Sequence, residues 1–156
     1  MRVLAFDPGY ERLGIAVLER GNGREKLLYS ACARTSAKDS FPARLAILGR
    51  EVESLIAAWA PSCVALESLY FENNAKTAMN VSAVRGMLLY LAARSNLPAH
   101  EYTPLQVKVA ITGNGRSDKA GIALMVPRLV GMQPGKRLDD ELDAIAVGIT
   151  CLASIR

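Results

Sequence analysis

The stretch LDDELDAIAVGIT, residues 138–150, constrains this chain most. It reads as a helix opened by Asp139, Asp140, Glu141 and Asp143, after which no charge appears until Arg156. A helix with no polar face beyond its first turns is buried on nearly every side. Its carboxylates therefore begin where solvent ends. At about 100° per residue, Asp140 and Asp143 lie about 60° apart and flank Val147, with Ala144 and Cys151 close by. Asp139 with Asp143, four apart, would share a face equally well. Acids at a helix N-terminus are favoured by the macrodipole, which is the ordinary explanation for one of them. Clustered acids cost more: in a partly buried site at an effective dielectric near 20, repulsion reaches roughly 4 kcal/mol at ~4 Å.

The rest of the chain alternates between two periodicities. Short apolar runs at 2–6, 14–18 and 27–33 follow one another at hairpin distances, with Gly21-Asn22-Gly23 between the second and third. They predict three antiparallel strands. Ser40 and Pro42 open a helix with apolar residues at Phe41, Leu45, Leu48, Val52, Leu55, Ile56 and Trp59, stopped by Pro61. A fourth strand is expected at 63–66, closed by Glu67, then a long helix over 75–94 dotted with small residues. A fifth strand at 98–102 and helices near 105–111, 117–129 and 139–153 complete the pattern. Antiparallel strands followed by strand–helix alternation imply one α/β domain over 1–156, a five-stranded mixed sheet flanked by helices. This is the element order of a ribonuclease-H-like fold.

Three acidic positions then require a common explanation. Asp7 ends the first strand, Glu67 ends the fourth, and Asp140 and Asp143 begin the last helix. Sites in open α/β sheets form beyond the carboxyl ends of parallel strands, so parallel pairing of strands one and four would bring Asp7 and Glu67 together. Oxygen donors without His or Cys suit Mg²⁺ or Mn²⁺. The single histidine, His100, is remote in sequence from these acids and reads as structural, which argues against a His/Cys zinc site. The formal net charge of +4 adds a mild preference for a polyanionic partner. Together these point to phosphodiester chemistry with two divalent ions about 3.5–4 Å apart. Cys32, Cys63 and Cys151 lack CxxC spacing and read as buried thiols of a reducing cytoplasm. The apolar run of MRVLAFD is too short for a signal peptide, and no run approaches the ~18 apolar residues of a membrane span.

The segments FDPGYERLGIAV, VALESLYFENNAKTAM, QVK, SDK and LDDELDAIAVGIT occur in an order that resembles the RuvC family of Holliday junction resolvases. The likeness extends over essentially the whole chain. It implies a homodimeric endodeoxyribonuclease of recombination and repair, working with Mg²⁺ or Mn²⁺, two ions per site, on four-way DNA junctions beside a RuvA–RuvB branch-migration complex. It maps catalytic, metal-binding carboxylates onto Asp7, Glu67, Asp140 and Asp143, choosing Asp140 over Asp139. It places Lys108 and Lys119 beside the site to position phosphate and stabilise developing charge. Tyr70 is the aromatic that would stack on an opened base, with Phe71 its packed neighbour, and Arg116 adds a backbone contact. Ser68 and Ala83 stand where many members carry Gln, so contacts made by those glutamines do not transfer. The 75–94 helix fits either of two roles: a dimer interface, since its small residues permit close approach, or part of the monomer core through its apolar residues. DPGYERLG also resembles the phosphate motif of actin-like ATPases, which need a second domain. The nearer rivals are a YqgF-type nuclease acting on RNA and a catalytically silent junction-binding module.

Overall fold

The computed structural model describes residues 1–68, 75–132 and 138–155. Strands β1 (Arg2–Asp7), β2 (Arg12–Glu19) and β3 (Lys26–Arg34) precede helix α1 (Phe41–Trp59). Then come β4 (Cys63–Glu67), α2 (Ala75–Arg94), β5 (Ala99–Tyr102), α3 (Pro104–Thr112), α4 (Lys119–Val130) and α5 (Asp139–Ser154). The sheet order is β3-β2-β1-β4-β5. β1 pairs antiparallel with β2 and parallel with β4; β2–β3 is antiparallel and β4–β5 parallel. This is the five-stranded mixed sheet that the element order implies.

Strand periodicity sorts the core into two layers. Leu4 and Phe6 of β1, Ile15 and Val17 of β2, and Val64 and Leu66 of β4 face α1 and α2. Val3 and Ala5, Ala16 and Leu18, and Cys63 and Ala65 face α3, α4 and α5. Residues 144–152 of α5 are all buried, as a run with no charge requires. Helix α5 lies mainly across β1 and β2. Alanines at positions 5 and 16 permit this closeness, as does Gly148, where an added Cβ would meet Leu18 Cδ1 at 2.3 Å. At the far end of α5, the Arg20 guanidinium donates to the carbonyls of Leu152 and Ile155, a cation at the negative end of the dipole.

Two details differ from expectation. β2 is longer than its apolar run because Arg12 and Glu19 pair with β3 at either end. Cys63 and Cys151 are buried with sulfurs 4.0 Å apart, whereas Cys32 is only partly buried, since edge strand β3 is incompletely covered. All three are free thiols.

Candidate active site

The same period that builds the core aims the acids. Asp7 follows Val3 and Ala5 at even spacing, and Glu67 follows Cys63 and Ala65, so both carboxylates point to the α5 side. They stand at adjacent parallel strand ends, one step beyond the Phe6–Leu66 pair. The first turn of α5 meets them there. A Cβ on Gly14 would lie 1.9 Å from the Asp140 carbonyl oxygen and 3.1 Å from the Asp7 Cβ. The backbone of α5 thus rests on a strand position where no side chain fits, and this seats Asp140 and Asp143 above Asp7.

The result is a cleft of about 460 Å³ containing Asp7, Glu67, Asp139, Asp140, Asp143, Lys108 and Lys119, with Pro104, Val107 and Ile122 as apolar wall. Burial, reinforced by Asp143, Glu67 and Asp140 and opposed by Lys119, pushes the Asp7 carboxyl up to about 8. Glu67 is raised to about 6 by burial and Asp143, against Lys119 and Lys108. Asp143 is also raised by burial, with Lys119 opposing and Asp139 and Asp140 reinforcing. The repulsion inherent in the acidic cluster is therefore present and is only partly compensated by protein cations.

Each lysine is placed by a helix cap. Thr103 and Gln106 form a reciprocal capping box on α3: the Thr103 hydroxyl accepts from Gln106 N–H at 3.2 Å, and Gln106 Oε1 accepts from Thr103 N–H at 2.8 Å. Gln106 of QVK is thus structural, and Lys108 follows two residues on. Asp118 of SDK caps α4 by accepting from Gly121 N–H at 2.9 Å, which makes Lys119 the first residue of that helix. A cation there opposes the macrodipole. Its nearest acid is Asp139, at 4.0 Å between two exposed side chains. Lys119 is positioned for the cleft rather than for helix stability.

Arg116 is exposed in the α3–α4 connection, outside the cleft lining. Tyr70 and Phe71 lie outside the described residues. His100 is on β5 and does not line the cleft. Ser68 donates its N–H to the Tyr102 carbonyl at 2.8 Å, fastening the end of β4 to β5. Arg12 escaped the sequence reading: its Nη1 lies 3.5 Å from Asp140 Oδ2. Only its position five residues after Asp7, across a tight turn, hinted at this. Asp139, left open by helix geometry, lines the cleft too, but it faces Lys119 and is much more exposed than Asp140.

The donor set suits a hard divalent cation, being oxygen-rich and surplus in negative charge. Among the described residues no group of three or more His, Cys, Asp or Glu side chains is arranged to hold a metal ion by itself. Such a cation keeps waters and substrate oxygens where the protein supplies only one or two carboxylates.

Fold and cleft together define a ribonuclease-H-like protein with a carboxylate-lined, lysine-flanked site at the ends of its central parallel strands. The family model described as crossover junction endodeoxyribonuclease RuvC matches residues 3–151. A crossover junction endodeoxyribonuclease RuvC of Desulfitobacterium hafniense is 42% identical over 149 residues, covering 96% of this chain and 90% of the relative. That of Syntrophomonas wolfei is 38% identical over 156 residues, covering 100% and 91%. The structure of Thermus thermophilus RuvC in complex with Holliday junction substrate superposes with a TM-score of 0.91 at 30% identity, over 96% of this chain and 92% of that one. The chain belongs to the RuvC family.

Proposed function

We propose that the protein resolves four-way DNA junctions by nicking two opposed strands, in homologous recombination and repair. The observation that carries this reading is the meeting of Asp7, Glu67, Asp140 and Asp143, from three distant segments, in one cleft with Lys108 and Lys119. The relatives are named crossover junction endodeoxyribonucleases, and the Thermus protein is seen with a Holliday junction. Residues 1–156 act as one nuclease domain, since both core layers share one sheet.

Asp7, Glu67, Asp140 and Asp143 would hold two divalent ions, Mg²⁺ or Mn²⁺. Such ions supply a bound water of lowered pKa and stabilise charge on the reacting phosphate. Lys119 and Lys108 draw the scissile phosphate into the cleft and offset the charge that builds on its oxygens. The wall of Pro104, Val107 and Ile122 limits water on one side. Tyr70 stacks on an opened base, and Arg116 contacts the backbone beyond the cleft.

A homodimer places one such cleft on each of two strands of a two-fold substrate. The α2 face bearing Met79, Ser82, Gly86 and Tyr90 is exposed and supports this role. The protein works in the cytoplasm, consistent with its free thiols, beside a RuvA–RuvB motor. No helix of the described residues is long and apolar enough to cross a membrane.

The test compares wild type and Asp7→Asn on a labelled four-way junction, a linear duplex and an RNA, with and without Mg²⁺ or Mn²⁺. Paired, cation-dependent nicks confined to the junction, at least ~10³-fold slower in a variant that still binds, are expected. Preferential RNA cleavage would move the assignment to an RNA nuclease. Junction binding without nicks would leave a binding module.

A further inference from the structure

The ends of β1, β3 and β4 and the start of β2 lie at one edge of the sheet. Lys108 and Lys119 reach the carboxylates from α3 and α4. The other flank, toward β3, carries a separate basic groove of about 330 Å³ lined by Glu11, Arg12, Arg34, Thr35, Ala37 and Arg44.

Within it Arg44 is structural. It is buried, donates to Thr35 Oγ1 at 2.8 Å and to the Tyr10 carbonyl at 3.3 Å, and stacks 4.8 Å over the Tyr10 ring. Glu11, at 3.9 Å from Arg44, is the acid that faces it. Arg12 and Arg34 remain, and both are exposed. They are direct register partners across β2 and β3, so two full positive charges oppose each other, an arrangement that weakens strand pairing. Their side chains share the α5 face: Arg12 alternates with Ala16 and Leu18 of that core, and Arg34 with Ser30, whose hydroxyl donates to Glu141 of α5 at 2.6 Å. Arg12 forms a partly exposed ion pair with Asp140 at 3.5 Å, which leaves its outer face open to solvent. Arg34 has no carboxylate within ion-pair distance among the described residues, and its charge counteracts the burial that raises the Cys32 thiol.

We propose that Arg12 and Arg34 form a second phosphate site, which binds a backbone phosphodiester of the nucleic acid engaged by the cleft. Guanidinium forks match phosphate oxygens in pairs, and a bound anion relieves the opposition between these two arginines. The carboxylates would then sit between two phosphate grips, with lysines on the β5 side and arginines on the β3 side. A strand held at both flanks cannot slide its scissile bond away from the cleft. This inference rests on the nucleic-acid reading of that cleft.

The test measures junction affinity against salt, with Asp7→Asn as the parent to prevent cutting. Arg34→Gln is expected to weaken binding about 3–10-fold near 0.1 M salt and to reduce the log–log salt slope by about 0.9, one phosphate contact. Arg34→Lys restores the slope. Arg50→Gln, which removes an exposed charge on α1, leaves both quantities at the parental value. Arg34→Gln should melt no lower than the parent, because it removes one of two opposed charges. Slopes that are equal for Arg34→Gln and the parent, in a parent that binds junctions, would overturn the second site and leave the nuclease reading intact. A parent that binds neither junction nor duplex would overturn both.

Discussion

Asp7 is tuned by what surrounds it rather than by what it bonds. Its carboxyl stays protonated to about 8 in the folded chain but loses its proton near 4 when unfolded. Between those values the folded state binds more protons, so stability falls as pH rises. The contribution is complete below about 4 and is lost as pH passes through about 8; Glu67 adds the same sign between its ordinary value of 4.5 and about 6. In chelator, Asp7→Asn should therefore be more stable than wild type at pH 8 by on the order of 2 kcal/mol. This is below the limit set by ~1.4 kcal/mol per pKa unit, because the cleft is open to water. The gap should close toward pH 4.5 in parallel urea denaturations. A variant less stable than wild type at pH 8 would mean the chain already neutralises Asp7 internally. Millimolar Mg²⁺ or Mn²⁺ should raise the wild-type melting temperature at pH 8, because a ligand of the folded state stabilises it. The rise should be much smaller in Asp7→Asn, and equal rises would place the cation elsewhere.

At the scale of elements, the cleft depends on how closely α5 approaches β2. Gly14→Ala would press a methyl group against the Asp140 carbonyl, which is backbone and cannot swing aside. We expect a loss of about 2–3 kcal/mol by urea denaturation, together with a weaker cation-induced melting shift, since α5 must move off Asp7. The starts of α3 and α4 serve a different purpose, presenting lysines. Lys119→Ala removes a cation from the wrong end of a dipole, so its stability should be unchanged or slightly higher. Its single-turnover cleavage should fall about 10²-fold with much less change in junction affinity; the reverse split would make Lys119 a docking residue. These placements were unevenly legible in the sequence. Asp7 and Glu67 could be read because each stands where an apolar strand run stops, and strand periodicity then fixes their side of the sheet. The acids of α5 could be read as the charged start of an otherwise apolar helix, but the choice of Asp140 over Asp139 came only from the family resemblance. The caps from Thr103 and Asp118 follow known N-terminal patterns. The partnership of Arg12 with Asp140 could not be read, because it needs the β2–α5 contact that Gly14 permits. Arg34 was hidden for a similar reason: the cross-strand register that sets it against Arg12 emerges only once β2 and β3 are paired with a shift between Val17 and Leu18.

For the whole molecule the open matter is symmetry. Helix α2 buries Val84, Leu88, Leu91 and Ala92 against the sheet. Its other side carries Met79 at 73% and Tyr90 at 63% exposure, on one stripe with Ser82 and Gly86. Among the described residues a Cβ on Gly86 would meet no atom within 4 Å, so none of them requires glycine there. Glycine in a helix interior lowers stability by about 1 kcal/mol relative to alanine, a cost that close approach by a second helix would offset. Gly86→Glu should therefore leave the protomer folded, since the space is open and glutamate favours helix, while placing a charge where two α2 helices would meet. Light scattering at micromolar concentration should give twice the chain mass for wild type and a single chain mass for the variant, with far-ultraviolet circular dichroism unchanged. On a junction, the monomer should lose the coupling between its two cuts before it loses the ability to cut, because each cleft is built within one chain. A variant that keeps the dimer mass would move the interface off this stripe. A variant that is monomeric yet still makes simultaneous paired nicks would show that two-fold pairing of clefts is not what couples the strands.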